Sequence, residues 1–174
     1  IEKEAKGYLK DWKKYKNCIV VGIKEQLQGC GEKLKSPKDY EIRVTPTQIL
    51  VCGFDERGAM FGLYNLESRM NLREAPILQK NLNIVRHSLY DTRMVLSWMG
   101  WMEWPDNLLS HLVHDGFDAI FASVYANPNG DRTTAETSTD FYARRQYGRK
   151  RQNPEKVRDL IKRAARFGVK FYAP

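Results

Sequence analysis

The 174-residue chain is poor in cysteine and histidine and carries no long apolar run. Its three cysteines, at positions 18, 30 and 52, have no CxxC spacing, which argues against a zinc site and allows at most one disulfide. Cys18 and Cys52 fall in apolar stretches that read as strands, where cysteine acts as a small buried hydrophobe. His87, His111 and His114 form no ligand pattern; the last two stand at i, i+3 near the polar edge of a helix, so no metal is expected. Gly58 and Gly62 are followed by no Lys-Ser or Lys-Thr pair, which excludes a phosphate loop, and no cofactor is expected. No apolar run approaches the roughly 18 residues that a membrane span needs. There is no signal peptide, and the chain opens Ile1-Glu2-Lys3-Glu4. It closes Phe171-Tyr172-Ala173-Pro174, on a buried strand with no helix to cover it, so it reads as a fragment of a longer protein.

What is present is ordinary globular material: 42% hydrophobic and 29% charged residues, enough for one domain and part of another. The net charge of +8 raises nucleic acid as a partner. The basic residues gather in two places, Lys3 to Lys16 and Arg144 to Arg166, on helix faces opposite the apolar stripes, as on any solvated helix. No helix-turn-helix, zinc-finger or RNP-type pattern accompanies them, so no nucleic-acid partner is expected. An acidic saccharide, or neutralisation by further chain, accounts for the charge equally well.

Periodicity lays out the elements. Residues 3–16 place Ala5, Tyr8, Leu9, Trp12 and Tyr15 at helical spacing. Strands follow at 18–23, 40–44 and 48–52, with a polar loop at 26–39 and a turn at Thr45-Pro46-Thr47. The alternation in 40–44 suggests a half-exposed hairpin strand. Asp55 caps a helix running to Met70 with Ala59, Met60, Leu63, Leu66 and Met70 on one face, and 82–86 is a further strand. From about Tyr90 strands and helices alternate strictly: strand 92–97; a helix from Pro105 to Gly116 carrying Leu108, Leu109, Leu112 and Val113; strand 118–124; a helix from Pro154 to Gly168 with Val157, Leu160, Ile161 and Ala164 inward; strand 169–172. Such a β-α-β-α-β run needs a parallel sheet.

Three of the four tryptophans, Trp98, Trp101 and Trp104, fall within seven residues directly after the first of these strands. Flat indole faces with a polar N–H edge suit a sugar; the competing reading is that they plug the end of a barrel. Sites on such scaffolds lie at the C-terminal ends of the strands, which selects 98–104, Tyr125 to Asn127 and Tyr172. Tyr125 and Asn127 either bond sugar hydroxyls or begin the Asn127-Pro128-Asn129-Gly130 turn. Glycoside hydrolysis needs carboxyl groups facing the bond to be cut. Glu103, Asp106 and Asp131 are candidates by position, though Asp106 suits the first turn of a helix.

Asp55-Glu56-Arg57-Gly58-Ala59-Met60-Phe61-Gly62-Leu63, continuing to Leu66 and Met70, resembles a helix start in the small α/β domain that precedes the barrel of family-20 β-N-acetylhexosaminidases and α-glucuronidases. Thr92 to Leu96 follows at the distance of the first barrel strand. Arg93, Met94 and Trp98 are similar to the Arg-Met and tryptophan of the α-glucuronidases, and Gly116 to Ile120, leading to Tyr125-Ala126-Asn127, to the second strand. The second strand lacks the His and paired aspartates of the hexosaminidases, and the insertion 129–153 has no counterpart.

The resemblance implies an α/β fold with two domains: 1–89, a small N-terminal domain with an antiparallel or mixed sheet, and 90–174, the opening of a (β/α)8 barrel. It implies a fragment of a glycoside hydrolase that removes terminal sugars from glycans. The catalytic carboxylates would lie beyond residue 174, leaving no catalytic residue and no activity in this chain alone. Arg93, Trp98, Trp101, Trp104, Tyr125 and Asn127 would bind the oligosaccharide, Arg93 either holding sugar hydroxyls or serving as a structural ion-pair partner. A periplasmic or extracellular location follows by the same resemblance. A non-catalytic saccharide-binding or assembly module is the alternative.

Overall fold

The apolar stretches pair into two separate sheets in a computed structural model, which describes residues 9–72, 78–96, 104–121 and 154–172. One sheet belongs to an N-terminal unit, Ile1–Asp91, and the other to a C-terminal unit, Thr92–Pro174. The chain is α/β.

In the N-terminal unit, β1 (Cys18–Ile23), β2 (Tyr40–Val44), β3 (Gln48–Gly53) and β4 (Asn83–Arg86) form a sheet in the order β1-β3-β2-β4. β1 runs parallel to β3, while β2 is antiparallel to both β3 and β4, so the sheet is mixed. Strand alternation sorts the side chains onto two faces. Ile42, Val44 and Val51 pack with Leu66 of helix α1 (Glu56–Asn71) on one of them. Val20, Leu50 and Cys52 pack with Trp12, Leu27, Cys30 and Leu34 on the other. Both faces are thus covered, each fully buried Leu or Ile contributing about 1.5–3 kcal/mol.

Three expectations for this unit change. β2 is not half-exposed: it lies between β3 and β4, and the segment between β1 and β2 covers the face on which Glu41 is 5% exposed. The described part of the first helix is a 3-10 segment, Leu9–Lys14, broken at Asp11 (φ −110°, ψ 23°), with Trp12 turned into the core. Helix α1 faces inward with Gly58, Ala59, Phe61, Gly62 and Leu66, leaving Leu63 exposed. Glycine explains the rotation. A Cβ at Gly58 would lie 2.2 Å from the Asp39 carbonyl oxygen, and one at Gly53 would lie 2.1 Å from the Ala59 nitrogen. Helix and sheet therefore meet backbone to backbone, an approach that an apolar side chain would prevent. Asp55 caps the helix as expected, accepting a hydrogen bond from Gly58 N–H at 2.8 Å.

In the C-terminal unit, β5 (Met94–Leu96), β6 (Ala119–Phe121) and β7 (Lys170–Tyr172) form a parallel sheet in that order. Helix α2 (Asp106–His114) links the first pair and α3 (Pro154–Arg166) the second. Each helix stops at a glycine in the left-handed region, Gly116 (φ 87°) and Gly168 (φ 71°). The next N–H turns back onto the helix, Phe117 to Leu112 and Val169 to Ala164, both at 2.9 Å. Leu109, Leu112, Val113, Leu160 and Ala164 are buried, whereas Ile161, expected inward, is 42% exposed. One face of the sheet is only partly covered: Met94, Leu96 and Tyr172, which alternation places together, are 40–46% exposed. Among the described residues, β5 and β7 each have one unpaired edge.

Candidate functional site

The two ends of the parallel sheet differ in chemistry. At the end where the strands begin, Asp118 is 1% exposed and accepts the Arg93 N–H at 2.7 Å through its carboxylate. Its own N–H donates to the Arg93 carbonyl, and its carbonyl accepts the Lys170 N–H at 2.8 Å. One residue thus ties together the starts of β5, β6 and β7. Arg93 itself precedes β5, and its guanidinium lies over Gly116, where a Cβ would meet Nη1 at 2.9 Å. That places Arg93 away from the strand ends at which barrel enzymes bind substrate.

At the other end the strands finish at Leu96, Phe121 and Tyr172. Trp98, Trp101, Glu103, Tyr125, Asn127 and Asp131 all lie outside the described residues. Trp104 is described, and it is 1% exposed. A buried indole has no face to offer a ligand, so at Trp104 the structure favours the packing role over the stacking one. Its carbonyl accepts a hydrogen bond from Arg163 Nη1 at 2.5 Å, and the same nitrogen reaches Asp106 Oδ1 at 3.1 Å. Arg163 Nε meanwhile donates to Asp159 at 2.7 Å. Asp106 is accordingly engaged at the start of α2 in holding α2 against α3.

The N-terminal unit holds a polar cluster that periodicity gives no reason to expect. Asp39 is fully buried and accepts five hydrogen bonds: from the N–H groups of Lys35 (2.9 Å), Ser36 (3.1 Å) and Ser88 (2.9 Å), from the Ser36 hydroxyl (3.1 Å), and from His87 Nδ1 (2.8 Å). Burial alone would push the carboxyl up. The His87 bond and the backbone donors overrule it and hold Asp39 well below the usual carboxylate range. A carboxylate so fully engaged has no lone pair left for acid–base work. Beside it Lys38, buried with φ 71°, donates its backbone N–H to Asp55 at 3.0 Å and its Nζ to the carbonyls of Tyr90 (2.9 Å) and Asp91. This cluster fastens residues 87–91 to the start of β2 and to the cap of α1. The run Ser36-Pro37-Lys38-Asp39 is its one visible signal in the sequence, and it reads only as a turn.

Two cavities in the same unit carry little chemistry. One of about 400 Å³ lies at the β2–β3 turn, lined in part by Asn17, Cys18, Ile19, Pro46 and Met70, and it gathers no carboxylate, histidine or basic group. The other, about 140 Å³, is bordered by Glu41 and Arg43, which pair with each other. Glu41 also accepts the Gly31 N–H at 3.1 Å. Among the described residues no cluster of three or more potential metal ligands occurs. Among them, too, no helix is long and apolar enough to cross a membrane.

No family model matches the sequence, and no curated protein does. Solved structures do share the fold. A glycoside hydrolase family 20 β-N-acetylglucosaminidase is similar with a TM-score of 0.56 at 14% identity, over 89% of this chain and 32% of that one. The β-N-acetylhexosaminidase of Bacteroides fragilis NCTC 9343 is similar with a TM-score of 0.55 at 15% identity, over 79% and 30%. A family-138 glycoside hydrolase targeting pectin rhamnogalacturonan II is similar with a TM-score of 0.55 at 13% identity, over 91% and 20%. The chain therefore spans no more than about a third of these structures, and what it shares with them is a glycosidase-like fold.

Proposed function

We propose that this chain is the N-terminal α/β domain and the first three barrel strands of a glycoside hydrolase that removes terminal sugars from glycans. The observation that carries the reading is the order of parts. A helix-backed mixed sheet is followed directly by a parallel β-α-β-α-β unit with one sheet face partly open, and chains with this fold include β-N-acetylhexosaminidases. The remaining strands of the barrel would cover Met94, Leu96 and Tyr172 and would bring the catalytic carboxylates. Trp98 and Trp101 form the sugar platform in this reading, with Tyr125 and Asn127 bonding hydroxyls at the end of the second strand. Trp104 anchors the loop from the interior, and Arg93 serves the base of the sheet rather than the sugar. The glycan is met in the periplasm or outside the cell.

The test has two arms. Titration of this chain with N-acetylglucosamine and with neutral and acidic oligosaccharides, followed by tryptophan fluorescence, should show saturable quenching that Trp98→Ala and Trp101→Ala each weaken at least about fivefold. Unchanged affinity in both variants would remove the platform. A polypeptide extended through the remaining strands should release nitrophenol from at least one nitrophenyl glycoside. Saccharide binding without any hydrolysis in that longer chain would favour the binding module instead.

A further inference from the structure

Residues 24–39, between β1 and β2, contain neither helix nor strand, yet they deliver Leu27, Cys30 and Leu34 to the core on one face of the sheet. Gly31 (φ 73°) is pressed so close that a Cβ there would lie 2.8 Å from Lys24 Cβ and 3.1 Å from Cys52 Sγ. That approach seats Cys30 on Cys52 of the central strand β3. The two Cα atoms are 6.6 Å apart, within disulfide reach, and the sulfurs are bonded across 22 residues of sequence. Cys52, read from its strand as a small buried hydrophobe, is thus one half of the one disulfide that the cysteine count allows, and Cys18 is the free thiol.

The geometry points to a redox-dependent lock: the Cys30–Cys52 disulfide forms in an oxidising compartment and fastens segment 24–39 onto β3, and its reduction releases that segment. Forming the bond takes two electrons and two protons from the two thiols. A protein disulfide of the thiol–disulfide exchange class accepts them and leaves as the dithiol. The glutathione and thioredoxin of a cytosol work in the opposite direction, so a chain that carries this bond matures outside it. Cys30 and Cys52 are both buried, so a reductant reaches the sulfurs only when the segment opens. The lock stands whether or not the chain binds a glycan.

The test is a thiol count on the 174-residue chain exported to a bacterial periplasm, denatured without reductant in the presence of an alkylating reagent and mapped by peptide mass. One adduct, on Cys18, with the Cys30 and Cys52 peptides joined, is the expected result. Adducts on all three cysteines would overturn the proposal. The release is read by limited trypsin digestion of the native chain before and after reduction. Lys33 and Lys35 are exposed within the segment, and reduction should speed cleavage after them several-fold. The Cys30→Ala, Cys52→Ala double variant should match the reduced chain. Equal rates before and after reduction would overturn the lock. So would cleavage spread through α1, because the bond would then hold the whole unit rather than the segment.

Discussion

The two units treat their sheets in opposite ways. The N-terminal sheet has a covered face on either side, a disulfide on one of them and a saturated buried carboxylate at the start of its interior strand β2. The C-terminal sheet has helices on one face and half-exposed Met94, Leu96 and Tyr172 on the other. Parallel sheets are characteristically covered on both faces, whereas antiparallel ones tolerate one face in water. The difference teaches that the first unit buries both faces of its sheet with its own residues, while the second leaves one face only partly covered.

The sharpest way to break this contrast is to strike the N-terminal unit where it has no slack. Gly58→Ala would force a Cβ to within 2.2 Å of the Asp39 carbonyl, so helix and sheet must part. A loss of about 3 kcal/mol or more is expected in the urea unfolding transition of that unit; a wild-type midpoint would mean the helix is not seated as described. Next comes the buried carboxylate: Asp39→Asn should cost about 2–4 kcal/mol at pH 7, because one acceptor oxygen becomes a donor facing donors. The pH dependence has a definite sign. The folded carboxyl is held below its unfolded value, so its contribution is present above about pH 4 and drains away as pH falls toward the folded value. Asp39→Asn should flatten this acid arm of the stability profile, and an unchanged acid arm would show that other carboxylates carry it.

A smaller effect sharpens the comparison from the other side. Backbone amides of β1–β3 should exchange with deuterium at least about a hundredfold more slowly than those of β5–β7 in the 174-residue chain. Equal protection would mean that the C-terminal sheet is closed by something in the chain itself. Smallest of all, Arg163→Met should cost about 1 kcal/mol, since the side chain is partly solvated and loses its bonds to Trp104 and Asp106 together. The melting temperature of the C-terminal unit reads it.

Much of this architecture is legible in the sequence, and the exceptions have physical causes. Strand positions follow from apolar runs, and the ends of α2 and α3 from Gly116 and Gly168, because local geometry decides both. The inward face of α1 escapes periodicity, which counts apolar side chains. The contact is made instead by Gly58 and Gly62, whose contribution is the absence of one. Glu41 looks like the solvent side of a hairpin, since nothing local reveals that a strandless segment will fold over it. The Asp39 cluster joins residues 48 and 49 positions apart in sequence, beyond the reach of any windowed pattern. Trp104 belongs to the same aromatic run as Trp98 and Trp101, yet it is buried just before α2, where Arg163 donates to its carbonyl. Of the proposed sugar site, the tryptophan loop rests on composition and strand order alone.

The glycine contacts at Gly53 and Gly58 carry a consequence for how such chains are recognised. The stretch from Asp55 to Gly62, which carries the resemblance to sugar-cleaving enzymes, performs no chemistry in this structure; it is a gauge of the gap between a helix and the sheet beneath it. A gauge of that kind answers to steric fit and is indifferent to any chemistry elsewhere in the chain. It identifies the chassis alone.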